Sequence, residues 1–200
     1  MAAGTSAPRR APRPRQYDID SLLAVAVQVF NERGYDGTSM EDLAAAAGIT
    51  KSSIYHHVPG KEQLLRLAVE RALDGLFAVT REDGAKTGRA IDRLEHVLRR
   101  EVAVLTEQLP YVTLLLRVRG NTATERWALQ QRRTFDRFVA GLVRKAAEEG
   151  DLRPEVDPIL AERLAFGMIN SIVEWYRPGR VPVAALAESV VSLAMAGLRR

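Results

Sequence analysis

Residues 38–61 constrain the fold of this chain more than any other stretch, because they contain two short helical segments separated by a three-residue turn. Ser39 and Thr50 each stand where a helix would begin, and both can cap free backbone N–H groups. Gly48 opens the turn and tolerates a left-handed backbone conformation. Ile49 is apolar inside the turn, which favours a position between the two helices. The pattern predicts a helix-turn-helix.

The second helical segment is predicted to span Lys51 to His57 and to present a polar face. Ile54 and Val58 are four residues apart, so they lie on the same side of a helix, which we expect to be buried. In a helix-turn-helix, the second helix enters the major groove of DNA with its N-terminal residues on base edges. The segment is therefore predicted to read double-stranded DNA.

The polar residues around this segment are predicted to divide the contacts with DNA. Those expected at base edges are Lys51, Ser52, Ser53 and His56. Those expected at phosphate oxygens lie at helix N-termini or carry a polar tip on a ring, and they are Ser39, Thr50, Tyr55, His57 and Lys61. Two alternatives stay open: Tyr55 as a core aromatic residue, and Ser39 as a helix cap that also contacts phosphate.

The charge distribution sets a limit on how this segment binds DNA. The net charge is +4, but residues 1–16 alone hold four arginines and no acid. Residues 17–61 carry three basic and six acidic residues, which gives −3. Overall basicity cannot explain DNA binding, so the position of each cation matters. The proline-rich residues 1–16 are predicted to be a disordered basic arm, which is either a solvated tail or a DNA-contacting arm.

Helical periodicity continues to the end of the chain without a strand signal, so the fold class is all-α with about nine helices. An N-terminal three-helix domain with the helix-turn-helix is expected over residues 17–62. A larger helical domain for ligand binding and dimerisation is expected over residues 63–200.

The segments that flank the turn resemble one family of proteins. Phe30 to Ser39 reads F-x-x-x-G-Y-x-G-T-S, and the first helical segment runs into the turn as A-G-I, from Ala47 to Ile49. The second helical segment reads K-S-S-I-Y-H-H-V, followed by K-E-x-L from Lys61 to Leu64. Residues 17–80 thereby resemble the DNA-binding domain of the TetR family of bacterial transcriptional regulators. Val58 departs from the family, which usually has Phe there, and this affects packing rather than contacts.

The resemblance implies a homodimer that binds a palindromic operator and is released by a small-molecule effector. Residues 159–176 are apolar nearly all round, and such a helix is buried on every side. We expect it to pack against its own domain and against a second copy of the chain, together with the last helix. The predicted interface residues are Ile169, Ile172, Val173, Tyr176, Val190, Val191, Ala194 and Met195.

An effector pocket is predicted between the helices of the larger domain, lined by apolar residues with a few polar anchors. Its predicted residues are Leu105, Leu115, Arg117, Trp127, Phe135, Phe138, Phe166, Asn170 and Trp175. Arg132 and Asp136 are four residues apart and can pair with each other. The arginines of residues 117–133 suit an anionic ligand head. The segment also resembles family members that sense acyl-CoA thioesters, so an acyl-CoA-type effector is expected.

Several other classes of function are disfavoured. The chain has no cysteine, and His56 and His57 are adjacent, so they point about 100° apart on a helix. We expect no metal site, no cofactor and no enzymatic activity. No run is long enough for a membrane span, and a cytoplasmic location is expected. The alternatives are a regulator that senses lipophilic drugs or antibiotics, and a helical ligand-binding or interaction protein that does not bind DNA.

Overall fold

The computed structural model describes residues 18–200, and ten helices lie within them. The predicted basic arm, residues 1–16, falls outside the described residues. The helices are α1 Ile19–Arg33, α2 Met40–Ala47, α3 Lys51–Tyr55, α4 Lys61–Val79, α5 Asp83–Lys86, α6 Ala90–Glu107, α7 Leu109–Arg117, α8 Ala123–Glu148, α9 Pro158–Trp175 and α10 Val183–Leu198.

The ends of the first two helices are fixed by local hydrogen bonds. The Asp18 side chain accepts from the Ser21 amide at 2.7 Å and caps α1. Ser39 and Asp42 form a capping box at the start of α2, in which each side chain accepts from the other residue's backbone N–H. Gly48 follows α2 with φ +67°. The sequence prediction of a cap, a glycine turn and a second cap is confirmed here.

Helix α4 belongs structurally to both halves of the molecule. It packs on α1 at one side and on α6, α7 and α8 at the other. One face of its first turns is completely buried, with Leu64, Leu65, Ala68 and Val69 at 0% exposure. Movement of either half is therefore transmitted to α4 through close-packed side chains.

The C-terminal half is arranged around α6, which packs against α4, α5, α8, α9 and α10. The structure also contains the short helix α5 before α6, which the sequence pattern did not indicate. Gly88, with φ +91°, lies between α5 and α6. The additional helix raises the total from about nine to ten within residues 18–200.

The end of the chain closes against the segment before α9. Leu152 and Arg199 form an isolated antiparallel bridge, and the Arg200 amide donates to the Asp151 carbonyl at 2.9 Å. Within residues 18–200, none of the helices has both the length and the apolar character needed to cross a membrane.

Candidate nucleic-acid interface and effector cavity

Helix α3 is anchored by two apolar residues and exposes its polar ones. Ile54 and Val58 are buried, at 0% and 2% exposure. Tyr55 is 48% exposed, so the alternative of a core aromatic is excluded in this structure. The helix ends at Tyr55, two residues earlier than predicted, and His56 and His57 lie exposed in the turn that follows.

Hydroxyl groups cluster at the N-terminus of α3. The Thr50 hydroxyl accepts from the Ser53 amide at 3.2 Å and lies 2.9 Å from the Ser52 hydroxyl and 2.8 Å from the Ser53 hydroxyl. Three hydroxyls thus surround the positive end of a short helix, on the exposed side. Hydroxyl protons can rotate toward an acceptor. The cluster can therefore donate to phosphate oxygens or to base edges.

The Lys51 ammonium forms an ion pair with Glu41 of helix α2, and both side chains are exposed. The hydrogen bond from Lys51 is the main reason why the pKa of Glu41 is lowered, and the same bond raises the pKa of Lys51. Both groups are charged at neutral pH. A DNA contact by Lys51 therefore has to compete with Glu41.

Lys61 does not occupy the position expected of a phosphate-binding residue. Its ammonium donates to the carbonyls of Tyr35 at 2.9 Å and Thr38 at 2.8 Å, with a longer contact of 3.5 Å to Asp36. It also lies 4.5 Å from the centre of the Tyr35 ring. An ammonium has three donors, and all three have carbonyl partners here. Lys61 therefore holds the loop before α2, and we no longer assign it to phosphate.

All three cations within residues 18–61 have partners in the same chain. Arg33 pairs with Asp42 at 2.8 Å, and the other two are Lys51 and Lys61. The sequence could place these cations in the domain but could not show their partners, because Glu41 is ten residues from Lys51. The DNA-facing surface thus offers polar donors and one exposed, exchangeable ammonium.

A small cavity lies between α4, α6, α7, α8 and α9. Its lining is apolar except for four residues, and it consists of Leu76, Glu101, Leu105, Val112, Leu115, Leu116, Arg132, Phe135, Asp136, Phe166 and Asn170. It encloses about 30 Å³, which is room for roughly one water molecule. Five of its lining residues were predicted: Leu105, Leu115, Phe135, Phe166 and Asn170.

The other four predicted pocket residues lie elsewhere. Arg117 lines a cleft between the two halves of the chain. Trp127 is covered by the Arg66 guanidinium, 3.3 Å from its ring centre. Phe138 packs beside Phe135, with ring centres 6.4 Å apart, but does not line the cavity. Trp175 is 53% exposed on the surface. Apolar character alone could not separate these positions, because it does not report which side of a helix faces the cavity.

The polar group that the sequence reading missed is Glu101. Its side chain is 4% exposed, and Oε2 has no hydrogen-bond partner within residues 18–200. Burial raises the pKa of Glu101 to about 8, and the negative charge of Asp136 adds to the effect. The carboxyl is therefore mostly protonated at neutral pH. The sequence signal that could have revealed Glu101 is a charged residue at an apolar position in the periodic pattern of α6.

Arg132 and Asp136 lie on α8 across the cavity from α6. Burial lowers the pKa of Arg132 and raises that of Asp136, and each charge partly offsets the shift of the other. The Arg132 guanidinium makes a long contact of 3.5 Å to the Leu115 carbonyl. A guanidinium has five N–H donors, and the hydrogen bonds of residues 18–200 leave most of these unused.

Helix α7 connects the cavity with the helix-turn-helix half. Val112, Leu115 and Leu116 of α7 line the cavity. On its other side, the Asn31 side chain of α1 donates through Nδ2 to the Pro110 carbonyl at 2.8 Å. The backbone carbonyl of Asn31 accepts from the Arg117 guanidinium at 3.0 Å. Asn31 is therefore bonded near both ends of α7, and a shift of that helix has to move α1 or break these bonds.

A larger cleft of about 680 Å³ lies between the two halves, on the α1 side of α7. Arg33, Arg117 and Arg119 line it together with Asp36. Leu116 lines both the cleft and the small cavity. The two spaces therefore share one lining residue.

Helices α9 and α10 expose an apolar face. Leu160, Leu164 and Leu193 are 56%, 73% and 69% exposed, and a groove of about 360 Å³ runs between them. Six of the predicted interface residues are instead buried in the chain's own core: Ile169, Ile172, Tyr176, Val190, Val191 and Met195. Val173 and Ala194 are partly buried against that core. Ala194 also lines the groove, whereas the six buried residues expose almost no surface to a partner, so the exposed face is formed mainly by residues other than those predicted.

Comparison with known proteins identifies the family. Residues 22–68 match the family model described as bacterial regulatory proteins, tetR family. Residues 87–198 match a model described as a Tetracyclin repressor-like C-terminal domain. The transcriptional repressor KstR2 of Rhodococcus jostii is 31% identical over 181 residues, which is 88% of this chain and 89% of KstR2. This chain belongs to the TetR family.

Solved structures agree with this assignment. A TetR-family regulator from Streptomyces coelicolor, SCO3833, is 59% identical with a TM-score of 0.85, covering 96% of this chain and 94% of that one. AibR, solved with isovaleryl coenzyme A and operator DNA, is 26% identical with a TM-score of 0.73, covering 87% and 96%. The predictions of an all-α TetR fold and of a ligand-responsive, DNA-binding repressor are confirmed.

Proposed function

We propose that this TetR-family chain acts in the cytoplasm as a homodimeric repressor, without enzymatic activity, and that an amphipathic effector releases it from a palindromic operator. The observation that carries the DNA-binding part is the exposed polar surface of α3, held in place by buried Ile54 and Val58. Lys51, Ser52 and Ser53 at the start of α3 read base edges, together with His56. Thr50, Tyr55 and His57 contact phosphates.

The exposed apolar face of α9 and α10 supports the dimer. Leu160, Leu164 and Leu193 are each more than half exposed, and a contiguous apolar face of this kind is typical of protein interfaces. Gly167 and Ser171 continue the exposed stripe along α9, and small residues allow a second helix to approach. A two-fold axis through this face would pair two α3 helices, and a palindromic operator has the same symmetry.

The effector works by separating helices around the small cavity. About 30 Å³ cannot hold an organic ligand, so a ligand binds only where α7, α8 or α9 has moved outward. Because Asn31 ties α7 to α1, this movement changes the spacing of the two α3 helices. The ligand shifts the equilibrium by its difference in affinity for the two arrangements.

An acyl-CoA-type thioester is the effector class that fits both spaces. An acyl group suits the apolar cavity, while an anionic head suits the cleft lined by Arg33, Arg117 and Arg119. Leu116 borders both, so one molecule can occupy the two at once. The complex of AibR with isovaleryl coenzyme A supports this class. A lipophilic drug, the second candidate, uses the apolar cavity alone.

The DNA-binding part is tested with the chain and the DNA upstream of its own gene, by fluorescence anisotropy at several salt concentrations. We expect specific binding that weakens with salt. Lys51→Ala and Tyr55→Ala should each lower the affinity about tenfold or more. Lys86→Ala, at an exposed lysine on α5, is the matched control. Equal binding of all four proteins to specific and unrelated DNA would refute DNA reading by α3.

The effector part is tested by adding acyl-CoAs of different chain lengths, free coenzyme A, or the free acids to the protein–DNA complex. Release by a thioester, but not by free coenzyme A or the acid alone, supports a ligand that spans both spaces. Release by uncharged lipophilic compounds alone would favour the drug-sensing alternative. Unchanged operator affinity across the whole panel would exclude the thioester class.

A further inference from the structure

The Glu101 carboxyl is the most isolated polar group that faces the effector cavity. The side chain is 4% exposed, lines the cavity, and leaves Oε2 without a partner within residues 18–200. Buried polar atoms are nearly always hydrogen-bonded in folded proteins. An unpaired one that faces a binding cavity therefore points to a ligand atom as its partner.

The chemistry of the neighbouring groups narrows the type of ligand atom. The neutral form of a carboxyl offers one O–H donor, and burial favours that form of Glu101. Arg132, on the same cavity wall as Phe135, offers further N–H donors. Two donors that line the same, mostly apolar cavity suit an oxygen that accepts hydrogen bonds.

Other ligand chemistries fit less well. An ammonium group would bring a positive charge toward the Arg132 guanidinium. A pure hydrocarbon would leave the Glu101 and Arg132 donors unpaired, which costs free energy in a buried site. Apart from Asp136 and Asn170, the remaining lining residues are apolar, namely Leu76, Leu105, Val112, Leu115, Leu116, Phe135 and Phe166, so most of the ligand has to be apolar.

We propose that Glu101 and Arg132 bind a carbonyl or carboxyl oxygen carried on the apolar part of the effector. The inference rests on the proposed function, because it takes this cavity to be the effector site. It adds that the buried part of the effector is an oxygen-bearing acyl group or ring rather than a plain hydrocarbon. Glu101 and Arg132 thereby become residues that determine specificity.

The test uses four small probes with one shared skeleton, measured by isothermal titration calorimetry on the full chain without DNA. They are cyclohexyl methyl ketone, cyclohexanecarboxylic acid, 1-cyclohexylethylamine and isopropylcyclohexane. We expect the ketone or the acid to bind about tenfold more tightly than the hydrocarbon and the amine. Preference for the ketone identifies a neutral carbonyl, and preference for the acid identifies a carboxyl group.

Variants locate the preference at the two residues. Glu101→Leu and Arg132→Leu should each remove most of the difference between ketone or acid and hydrocarbon. Glu101→Gln, which keeps an N–H donor, should retain it within about threefold. Glu107→Gln, at an exposed position on the same helix, should behave as the wild type. If Glu101→Leu does not fold, the inference is still tested by Arg132→Leu and by the order in which the wild type prefers the four probes.

Three results would overturn the inference: equal binding of all four probes, preference for the amine or the hydrocarbon, or binding of none. An unchanged preference in both leucine variants would also overturn it. Because no DNA is present, these results leave operator binding untouched. Failure of the regulator proposal would appear instead as loss of specific DNA binding by the wild type.

Discussion

The two halves of this regulator differ in whether their charged side chains have partners within the chain. In the helix-turn-helix half, the three cations Arg33, Lys51 and Lys61 all have partners within the chain. In the effector half, Glu101 is buried without a partner for Oε2, and Arg132 uses few of its donors. The contrast is between paired cations in one half and a buried, unpaired carboxyl oxygen in the other.

The difference follows from what each half has to do. A helix proposed to read DNA must keep its shape while no DNA is bound, so caps and ion pairs fix it. DNA then has only to replace the exposed Glu41 as the partner of Lys51. A ligand cavity gains affinity from groups that the folded chain leaves without partners. The free energy lost on folding is recovered when a ligand supplies them.

The largest effect is expected from disrupting the face that joins two copies of the chain. Leu164→Glu combined with Leu193→Glu places carboxylates on a surface that is exposed in one chain, so the fold should persist. Self-association should be lost, and operator affinity should fall about a hundredfold or more, since one α3 then binds a half-site alone. Analytical ultracentrifugation and anisotropy measure the two quantities.

The control for this double variant is Glu188→Gln, which alters an exposed position on α10 without adding charge. Melting temperatures of the double variant should stay near that of the wild type. If the double variant remains dimeric and binds operator normally, the α9 and α10 face is not the dimer interface. Two α3 helices are then not paired through it.

The second prediction tests whether the Glu101 carboxyl is buried as a neutral group in the effector half. The pKa of Glu101 is raised to about 8 in the folded chain, against about 4.3 in an unfolded one. The folded state therefore holds a proton that the unfolded state releases between these values. The contribution of Glu101 to the free energy of unfolding is therefore fully present at low pH. It falls as pH rises toward 8, by at most about 1.4 kcal/mol per pH unit.

Urea unfolding of the wild type at pH 5, 6.5 and 8 measures this fall. Glu101→Gln should flatten it, because the amide does not titrate, while Glu107→Gln should keep it. Burial also raises the pKa of Asp136, so a smaller slope of the same sign should remain. An identical pH dependence in wild type and Glu101→Gln would mean that Glu101 is not buried as a neutral group.

The sequence was sufficient where structure is determined by near neighbours along the chain. The caps at Ser39 and Thr50 act over three residues, and the fold of the N-terminal half follows from such local rules. Ile54 and Val58 were placed correctly in the core for the same reason. Helix ends were less exact, because His56 and His57 fall in a turn that ends α3.

The sequence was insufficient where partners are distant or where a helix is apolar on all sides. Lys61 finds its carbonyls more than twenty residues earlier. For α9, periodicity could not tell core from surface, so Ile169 and Ile172 were expected at the interface while Leu164 is the exposed residue. Glu101 was overlooked because a charged residue in an amphipathic helix ordinarily faces solvent.

An intermediate effect separates two lysines of the helix-turn-helix half. Lys61→Met should lower the free energy of unfolding by about 1–3 kcal/mol, because the carbonyls of Tyr35 and Thr38 lose their donor. Lys51→Met removes an exposed ion pair and should change stability little, because exposed pairs are weak, but it should weaken DNA binding. Urea unfolding and anisotropy on both variants give the two values. Equal losses of stability would show that Lys61 is no more structural than Lys51.

The smallest effect concerns the competition at Lys51. Glu41→Gln keeps the shape of the side chain but removes the charge that pairs with Lys51. Operator affinity should rise about two- to fivefold, because Lys51 no longer exchanges one partner for another and a repulsive charge near phosphate is gone. Glu32→Gln, on α1 and also exposed, is the control for overall charge. Anisotropy at low and high salt should show the gain shrinking as salt rises, since screening weakens an exposed pair. A decrease in affinity would instead mean that Glu41 positions Lys51 for its base, and that the ion pair is part of the DNA-reading surface.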